Sequence, residues 1–526
     1  MGYHLDKETL MKLIIFFLFI FFCNSGHSKL LQIIHTNDLH SYFNGPRDGT
    51  GGYAKLKTKI ELIRQQAFKN NIEVLQVDAG DFGEGTSFFL SNDGSDSLVA
   101  LEKLGIEVSV IGNHDYMLGG DVLSSQINRA NISTKFLSAN LVSTPEMNIG
   151  ETIKPFFDIT KNGISIRIIG LTTAAPHFEY PLKPGHIAPY LKVANDQANI
   201  AKQERKELVI ALTHLGLGED KKLASNSRNI DLIIGGHSHS ALKKEKMVYN
   251  KNKIPVPIVQ AGSNSRYVGS LLIDVVPGKA VTVVDYKLIP IDDSIPENEG
   301  VKDFVNKAYE NLSQYFNRDI DEVIGYSDID LSGFINGVMV LKPSCWGKHM
   351  AKMQKEAIDS DIGLHMANFE GDSIPAGPIR FIDMIDNFPH LTKYGDNGWQ
   401  IAKFSLHGRY LKWLMIALAN TSLTVGLNFH GITFKKWKVP RRIPFIGGKT
   451  FVWKLRVNGK RIQKDKKYSF ALPLEVAHTL RSLIPKKLQS KIPYFHHSEI
   501  YYWDVMENYI KENSPISCID SIELKR

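Results

Sequence analysis

Five short segments set carboxylate, imidazole and amide side chains directly after apolar runs: Thr36-Asn37-Asp38-Leu39-His40, Asp78-Ala79-Gly80-Asp81, Gly112-Asn113-His114-Asp115, Thr213-His214 and Gly235-Gly236-His237-Ser238-His239. This mixture of carboxylate, imidazole and amide oxygen suits a borderline divalent cation such as zinc or manganese. Seven ligand-type residues exceed what one four-coordinate zinc takes. They suit two ions ~3.5–4 Å apart with a shared carboxylate, an arrangement used for in-line attack on phosphoryl groups. Each segment alone is ordinary: a lone Asp-x-His more often caps a turn than binds metal, and Gly-His-Ser-His fits a solvated loop. Together they are hard to explain as packing, because unpaired buried imidazoles and carboxylates cost stability.

The elements that must position them are strands. Leu30 to Ile34, Val74 to Val77, Val108 to Ile111, Ile166 to Leu171, Leu208 to Leu212 and Leu232 to Ile234 read as buried strands. Leu56, Ile60, Ile63 and Ala67 recur at helical spacing between the first two. Alternating strands and helices predict an α/β layer architecture, in which ligands collect beyond the carboxyl ends of the strands. After a strand from Val281 to Ile291 comes a polar stretch, Asp292 to Gly300, and then a helix-like segment with Val301, Phe304, Ala308 and Leu312. The expected division is a leader (1–28), a first domain (29–291), a linker helix (292–322) and a second α/β domain (323–526). No internal repeat or long low-complexity tract stands out.

The order of these segments, followed by a second domain, resembles the secreted 5′-nucleotidase family of calcineurin-like metallophosphoesterases. The likeness is strong from Leu30 to about Ile291 and loose beyond. It implies a β-sandwich flanked by helices (αββα) and a C-terminal 5′-nucleotidase-type α/β domain. It further implies that Asp38, His40, Asp81 and His239 hold one divalent ion, and that Asp81, Asn113, His214 and His237 hold the other, with Asp81 bridging. His114 corresponds to the family's catalytic histidine, which stabilises the transition state or protonates the leaving oxygen. A metal-bound water would be the nucleophile. The substrate implied is a small phosphate ester, a nucleotide or a related compound.

The chain departs from that pattern in places. An Asp usually lies three residues after the catalytic histidine and orients it; here Met117 stands there, with Asp115 and Asp121 as candidate replacements at unsuitable spacing. Asp115 fits a role in steadying the turn and is assigned no metal. The family's Asn-Gly-Gly-Gly-Ile-Arg-like run is replaced by Asn368-Phe369-Glu370-Gly371-Asp372-Ser373-Ile374, without the Arg, and Arg380 nearby is no motif match. The paired aromatics that sandwich a base are not evident: the first position falls near Gly426, and Ala471 to Ala477 stands where a Gly-rich loop with a Phe is expected. For Phe429, Phe434 and Trp437, core packing is the expected role.

The 526 residues are 43% hydrophobic and 22% charged, which excludes wholesale disorder and predicts sizeable cores. Ten uninterrupted Leu, Ile and Phe residues from Leu13 to Phe22 follow Lys12, and Met11 is a plausible start. That run has the form of a signal peptide and is too short to span a bilayer. Cleavage after Ser28 and a secreted or periplasmic location follow, with no transmembrane segment in the mature chain; lipidation at Cys23 ranks second because Phe22 precedes it. Cys345 and Cys518 remain, either as one disulfide or as two buried thiols. The net charge is +8, and Lys435 to Lys467 holds thirteen basic residues against one acid, Asp465. That stretch fits either an attractor of polyanions or a solvated basic hairpin. Nucleic acid is not expected as a partner, since no recognised module accompanies the charge. Two functions fit: an exported two-metal phosphohydrolase, and a catalytically decayed metal-binding envelope protein. Oligomeric state is not legible.

Overall fold

The computed structural model describes residues 28–147, 149–150, 152–174, 180–332, 334–335, 338–339, 343–420, 426–440, 448–482 and 496–518. The expected leader, including Cys23, lies outside the described residues apart from Ser28.

Two sheets form the first half. In one, Lys29–Thr36 runs parallel to Val74–Asp78, followed outward by Val108–Val110, Lys135–Leu137 and Ile153–Lys154. On its other side Tyr267–Val275 and Thr282–Pro290 close that sheet as an antiparallel pair. In the second sheet Ile164–Thr172, Leu208–His214, Leu232–Gly235 and Pro255–Val259 run parallel between edge strands Phe156–Lys161 and Lys246–Tyr249.

Side-chain alternation sets the layers. On Leu208–His214, Leu208, Ile210 and Leu212 enter a core shared with Leu31, Ile33, Leu75, Val77, Val108 and Val110 of the first sheet. Val209 and Ala211 face the other way, onto Ala194, Ala198 and Ala201 of helix Tyr190–Gln203 and Leu223 of helix Leu217–Asn226. Ile34 likewise faces outward with Leu56 and Ile60 of helix Tyr53–Lys69 and Leu98, Leu101 and Leu104 of helix Ser95–Leu104. Strands buried on both faces need continuous apolar runs, which is why they read so clearly in the sequence. The architecture is helix, sheet, sheet, helix, as the resemblance implied.

Helix Glu299–Phe316 begins where the Asn298 side chain accepts the Val301 N–H, and it buries Val301, Val305, Ala308 and Leu312. Beyond it lies an α/β unit whose five-stranded sheet runs Leu427–His430, Ile362–Met366, Lys467–Pro473, Gln400–His407, His496–Tyr501. Much of the basic stretch forms the three-stranded sheet Ile432–Lys438, Thr450–Val457 and Lys460–Arg461, on which Trp437 is 47% exposed. Core packing therefore does not account for Trp437. Among the described residues no helix is long and apolar enough to cross a membrane.

Cys345, at the start of helix Cys345–Ala357, is disulfide-bonded to Cys518, with Cα atoms 5.3 Å apart and a sequence separation of 173. The bond ties the C-terminal segment to the second unit. Closing so long a loop in the unfolded chain is worth about 2–5 kcal/mol. Cys345→Ser should lower stability by that order, measured by denaturant unfolding, and reductant should destabilise the parent chain but not the variant.

Candidate active site

All five polar segments sit at the carboxyl ends of parallel strands: Asp38 and His40 follow Lys29–Thr36, Asp81 follows Val74–Asp78, Asn113 follows Val108–Val110, His214 ends Leu208–His214, and His237 and His239 follow Leu232–Gly235. The chain turns so sharply there that Asp38, His40, Asp81, His237 and His239 all adopt positive φ, between 49° and 72°. Non-glycine residues pay roughly 1–3 kcal/mol for such conformations, which persist where surroundings impose them. Two glycines allow the tips to approach: a Cβ on Gly112 would lie 2.1 Å from Asp81 Oδ1, and one on Gly236 2.6 Å from the Ala79 carbonyl.

The tips gather two groups of potential ligands, Asp38 with His40 and His239, and Asp81 with His214 and His237, each with donor atoms within 4.8 Å of one another. The groups adjoin: Asp81 Oδ2 lies 2.9 Å from His214 Nε2 and 3.8 Å from His40 Nε2, so this carboxylate faces both. His40 Nε2 and His239 Nε2 stand 3.2 Å apart. His40 Nδ1 donates to the Glu84 carbonyl and His214 Nδ1 to the Ala79 carbonyl, both at 2.7 Å, which turns each Nε2 toward the cluster. The Asn113 side-chain oxygen is buried with no hydrogen-bond partner, as an amide oxygen reserved for a cation would be. The donor set therefore fits two divalent ions.

Electrostatics divide the imidazoles of the cluster into two sorts. Burial lowers the His40 pKa to about 4 and the His237 pKa to about 3, keeping both neutral and able to ligate. Burial opposes ionisation of Asp38 and Asp81, yet the surrounding imidazoles hold both below the usual carboxylate range. For His214 burial is outweighed by Asp81 and Asp38, which raise it to about 10. His114 behaves similarly, rising to about 9 against burial because Asp81, Glu84 and Asp115 surround it.

His114 packs edge-on to His40, with ring centroids 4.9 Å apart. Its Nδ1 lies 2.7 Å from Glu84 Oε2, and the other Glu84 oxygen lies 2.9 Å from His390 Nδ1. Neither Asp115 nor Asp121 fills the place of the dyad carboxylate. Asp115 accepts instead from the backbone N–H groups of Gly112, Asp81 and Gly83 at 2.7, 3.0 and 2.9 Å, steadying two tips at once. Sequence reasoning passed over Glu84 and His390. The only local signal was an acid three residues after Asp81.

The altered stretch from Asn368 to Ile374 is committed to structure. Glu370 pairs with His365 at 2.9 Å, Asp372 faces Arg47 at 3.8 Å, and Ile374 bonds to Leu331 through both backbone groups. Arg380 pairs with Asp383 and Asp321.

Residues 31–241 match the family model described as calcineurin-like phosphoesterase. The chain is 27% identical over 425 residues to a 5′-nucleotidase of Vibrio parahaemolyticus, covering 72% of this chain and 74% of that one. It is 27% identical over 333 residues to protein 5NUC of Lutzomyia longipalpis, covering 57% of this chain and only 56% of the relative. The crystal structure of a 5′-nucleotidase precursor from Thermus thermophilus superposes with a TM-score of 0.77 at 20% identity, over 93% of this chain and 97% of that one.

Asp115→Ala removes the acceptor of three backbone N–H groups, that of Asp81 among them, while leaving every potential ligand side chain in place. It should weaken manganese or zinc binding by roughly 10- to 100-fold, read by competition with a chelating dye. A second prediction concerns Glu475, buried near Glu84 and Asp396, whose carboxyl is raised by desolvation from 4.5 to about 8. Between those values the folded chain holds a proton that the unfolded chain has released, so this group's contribution to stability falls as pH rises. Glu475→Gln should leave stability near pH 4.5 unchanged and raise it at pH 8 by about 1–3 kcal/mol, measured by urea unfolding.

Proposed function

Because this chain belongs to the calcineurin-like metallophosphoesterases of the 5′-nucleotidase type, we propose that it is an exported phosphohydrolase that uses two divalent ions to cleave a phosphate ester. The observation that carries this reading is the pair of adjoining ligand groups facing one buried carboxylate, Asp81. Asp38, His40, Asp81 and His239 would hold one ion, and Asp81, Asn113, His214 and His237 the other. Two zinc or manganese ions, when bound, supply Lewis acidity toward phosphoryl oxygens and lower the pKa of water.

The chain's own residues do the rest. His114 contacts the reacting group, stabilising charge on the phosphoryl oxygens or giving a proton to the leaving oxygen. Asp115 keeps the tips carrying Asp81 and Asn113 in register through its three backbone bonds. The second unit, taken as residues 323–526 beyond a linker helix at 292–322, closes the cleft: Asp386 accepts the Ser87 N–H at 2.8 Å and Gln126 donates to Tyr394 at 2.7 Å. Export is supported by the leader pattern and by the Cys345–Cys518 disulfide, a bond favoured in oxidising compartments.

The relatives' names make nucleoside monophosphates the first substrates to test. The missing Arg in the Asn368 to Ile374 stretch argues for including non-nucleotide esters. The test is a phosphate-release panel spanning nucleoside monophosphates, cyclic nucleotides and sugar phosphates, with added manganese or zinc. Release should require metal, stop with chelator, and fall by roughly 10²- to 10⁴-fold in His114→Ala. Unchanged activity in that variant would remove His114 from the mechanism. A blank panel with both ions bound would favour the metal-binding envelope protein instead.

A further inference from the structure

The carboxylate that meets His114 comes from a position to which the family resemblance gives no role. Glu84 follows Asp81 by three residues and its side chain is only 3% exposed. Its two oxygens serve two imidazoles: Oε2 lies 2.7 Å from His114 Nδ1 and Oε1 2.9 Å from His390 Nδ1. Met117, where the dyad acid is expected, lines the same cavity as His114 and Glu84. Its thioether is a weak acceptor at best.

His390 is itself held on every side. Its Nε2 donates to the Phe369 carbonyl at 2.8 Å, its ring stacks on Trp399 with centroids 4.4 Å apart, and Phe388 meets it edge-on at 4.9 Å. Glu84 is thus fixed from behind by a ring with little freedom to turn. The Glu84 main chain acts as well, since its carbonyl accepts from His40 Nδ1. One residue therefore sets the orientation of two histidines on the same wall of the cleft.

We propose that Glu84 is the positioning residue of His114. It accepts the Nδ1–H of that ring, fixes which nitrogen carries the proton and how the ring is aimed, and so replaces the dyad carboxylate that Met117 lacks. His390, 306 residues away in sequence, keeps Glu84 in place. An imidazole without such a partner turns about its side-chain bonds and exchanges tautomers, and small misplacement of a reacting group is costly. The kinetic consequence rests on the phosphohydrolase reading; the pairing of the two side chains does not.

Two readouts test this on the full-length chain. The first needs no substrate: with ¹⁵N-labelled histidine, the imidazole proton assigned to His114 by its loss in His114→Ala should disappear or move upfield in Glu84→Gln. The second is phosphate release by the manganese-loaded protein. Glu84→Gln should lower kcat by roughly tenfold to a hundredfold while KM stays within about twofold, and adding Met117→Asp should recover about tenfold of the loss. His390→Phe, which keeps an aromatic ring against Trp399, should lower kcat by less than Glu84→Gln. An unmoved His114 proton signal, an unchanged kcat or a loss confined to KM would overturn the proposal, and a loss with no recovery in the double variant would overturn the replacement of the dyad. Should Glu84→Gln not fold, Glu84→Asp gives the same readouts with the carboxylate drawn back by one methylene. A parent chain that releases no phosphate from any ester would sink the phosphohydrolase reading, while the proton signal still decides the pairing.

Discussion

The structure depends on mutual compensation between buried carboxylates and imidazoles at one edge of the sandwich. Asp38 and Asp81 are almost wholly removed from water, where an isolated carboxylate would take up a proton. Each stays below the usual carboxylate range chiefly through His239, 3.4 Å from Asp38, and His214, 2.9 Å from Asp81 and 3.9 Å from Asp38. The same groups sit on sharply turned backbone, with five residues on three of the strand tips at positive φ. A cleft so rich in buried polar groups costs folding energy.

The layers beneath carry that cost. The apolar strands interlock between the sheets through Leu31, Ile33, Val77, Ile168, Ile210 and Leu212, all fully buried. Parallel strands end on a common edge, so the core that stabilises the sandwich also fixes the separation of the tips. Gly112 and Gly236 then allow backbone and carboxylate to approach closer than a side chain would permit. Stability and the site are linked through the same strands, the apolar residues supplying the one and their terminal turns supplying the other.

The second unit has a different relation to the cleft. Its Asn368 to Ile374 stretch spends its polar groups on internal pairs and on Arg47, and its contribution beside His114 is a histidine held against Trp399. The basic three-stranded sheet holds its lysines and arginines exposed and contributes none of the residues gathered around Asp38 and Asp81. The cavity beside His114 is walled by Met117 and Leu118 of the first half and by Tyr394 of the second unit.

The sequence by itself determined the layered architecture and the identity of the ligand-type residues. Both are written locally, in apolar runs buried on two faces and in polar residues set at their ends. It left the partner of His114 open, because Met117 broke the expected spacing and Asp115 and Asp121 were the acids in view. Only the tertiary structure decided that Asp115 serves backbone N–H groups and that Glu84 faces the ring. The physical reason is distance along the chain: Glu84 meets His114 across 30 residues and His390 across 306, so neither contact has a periodicity to reveal it. The cysteine pair is a similar case, since two thiols 173 residues apart become a disulfide only when folding brings their Cα atoms to 5.3 Å.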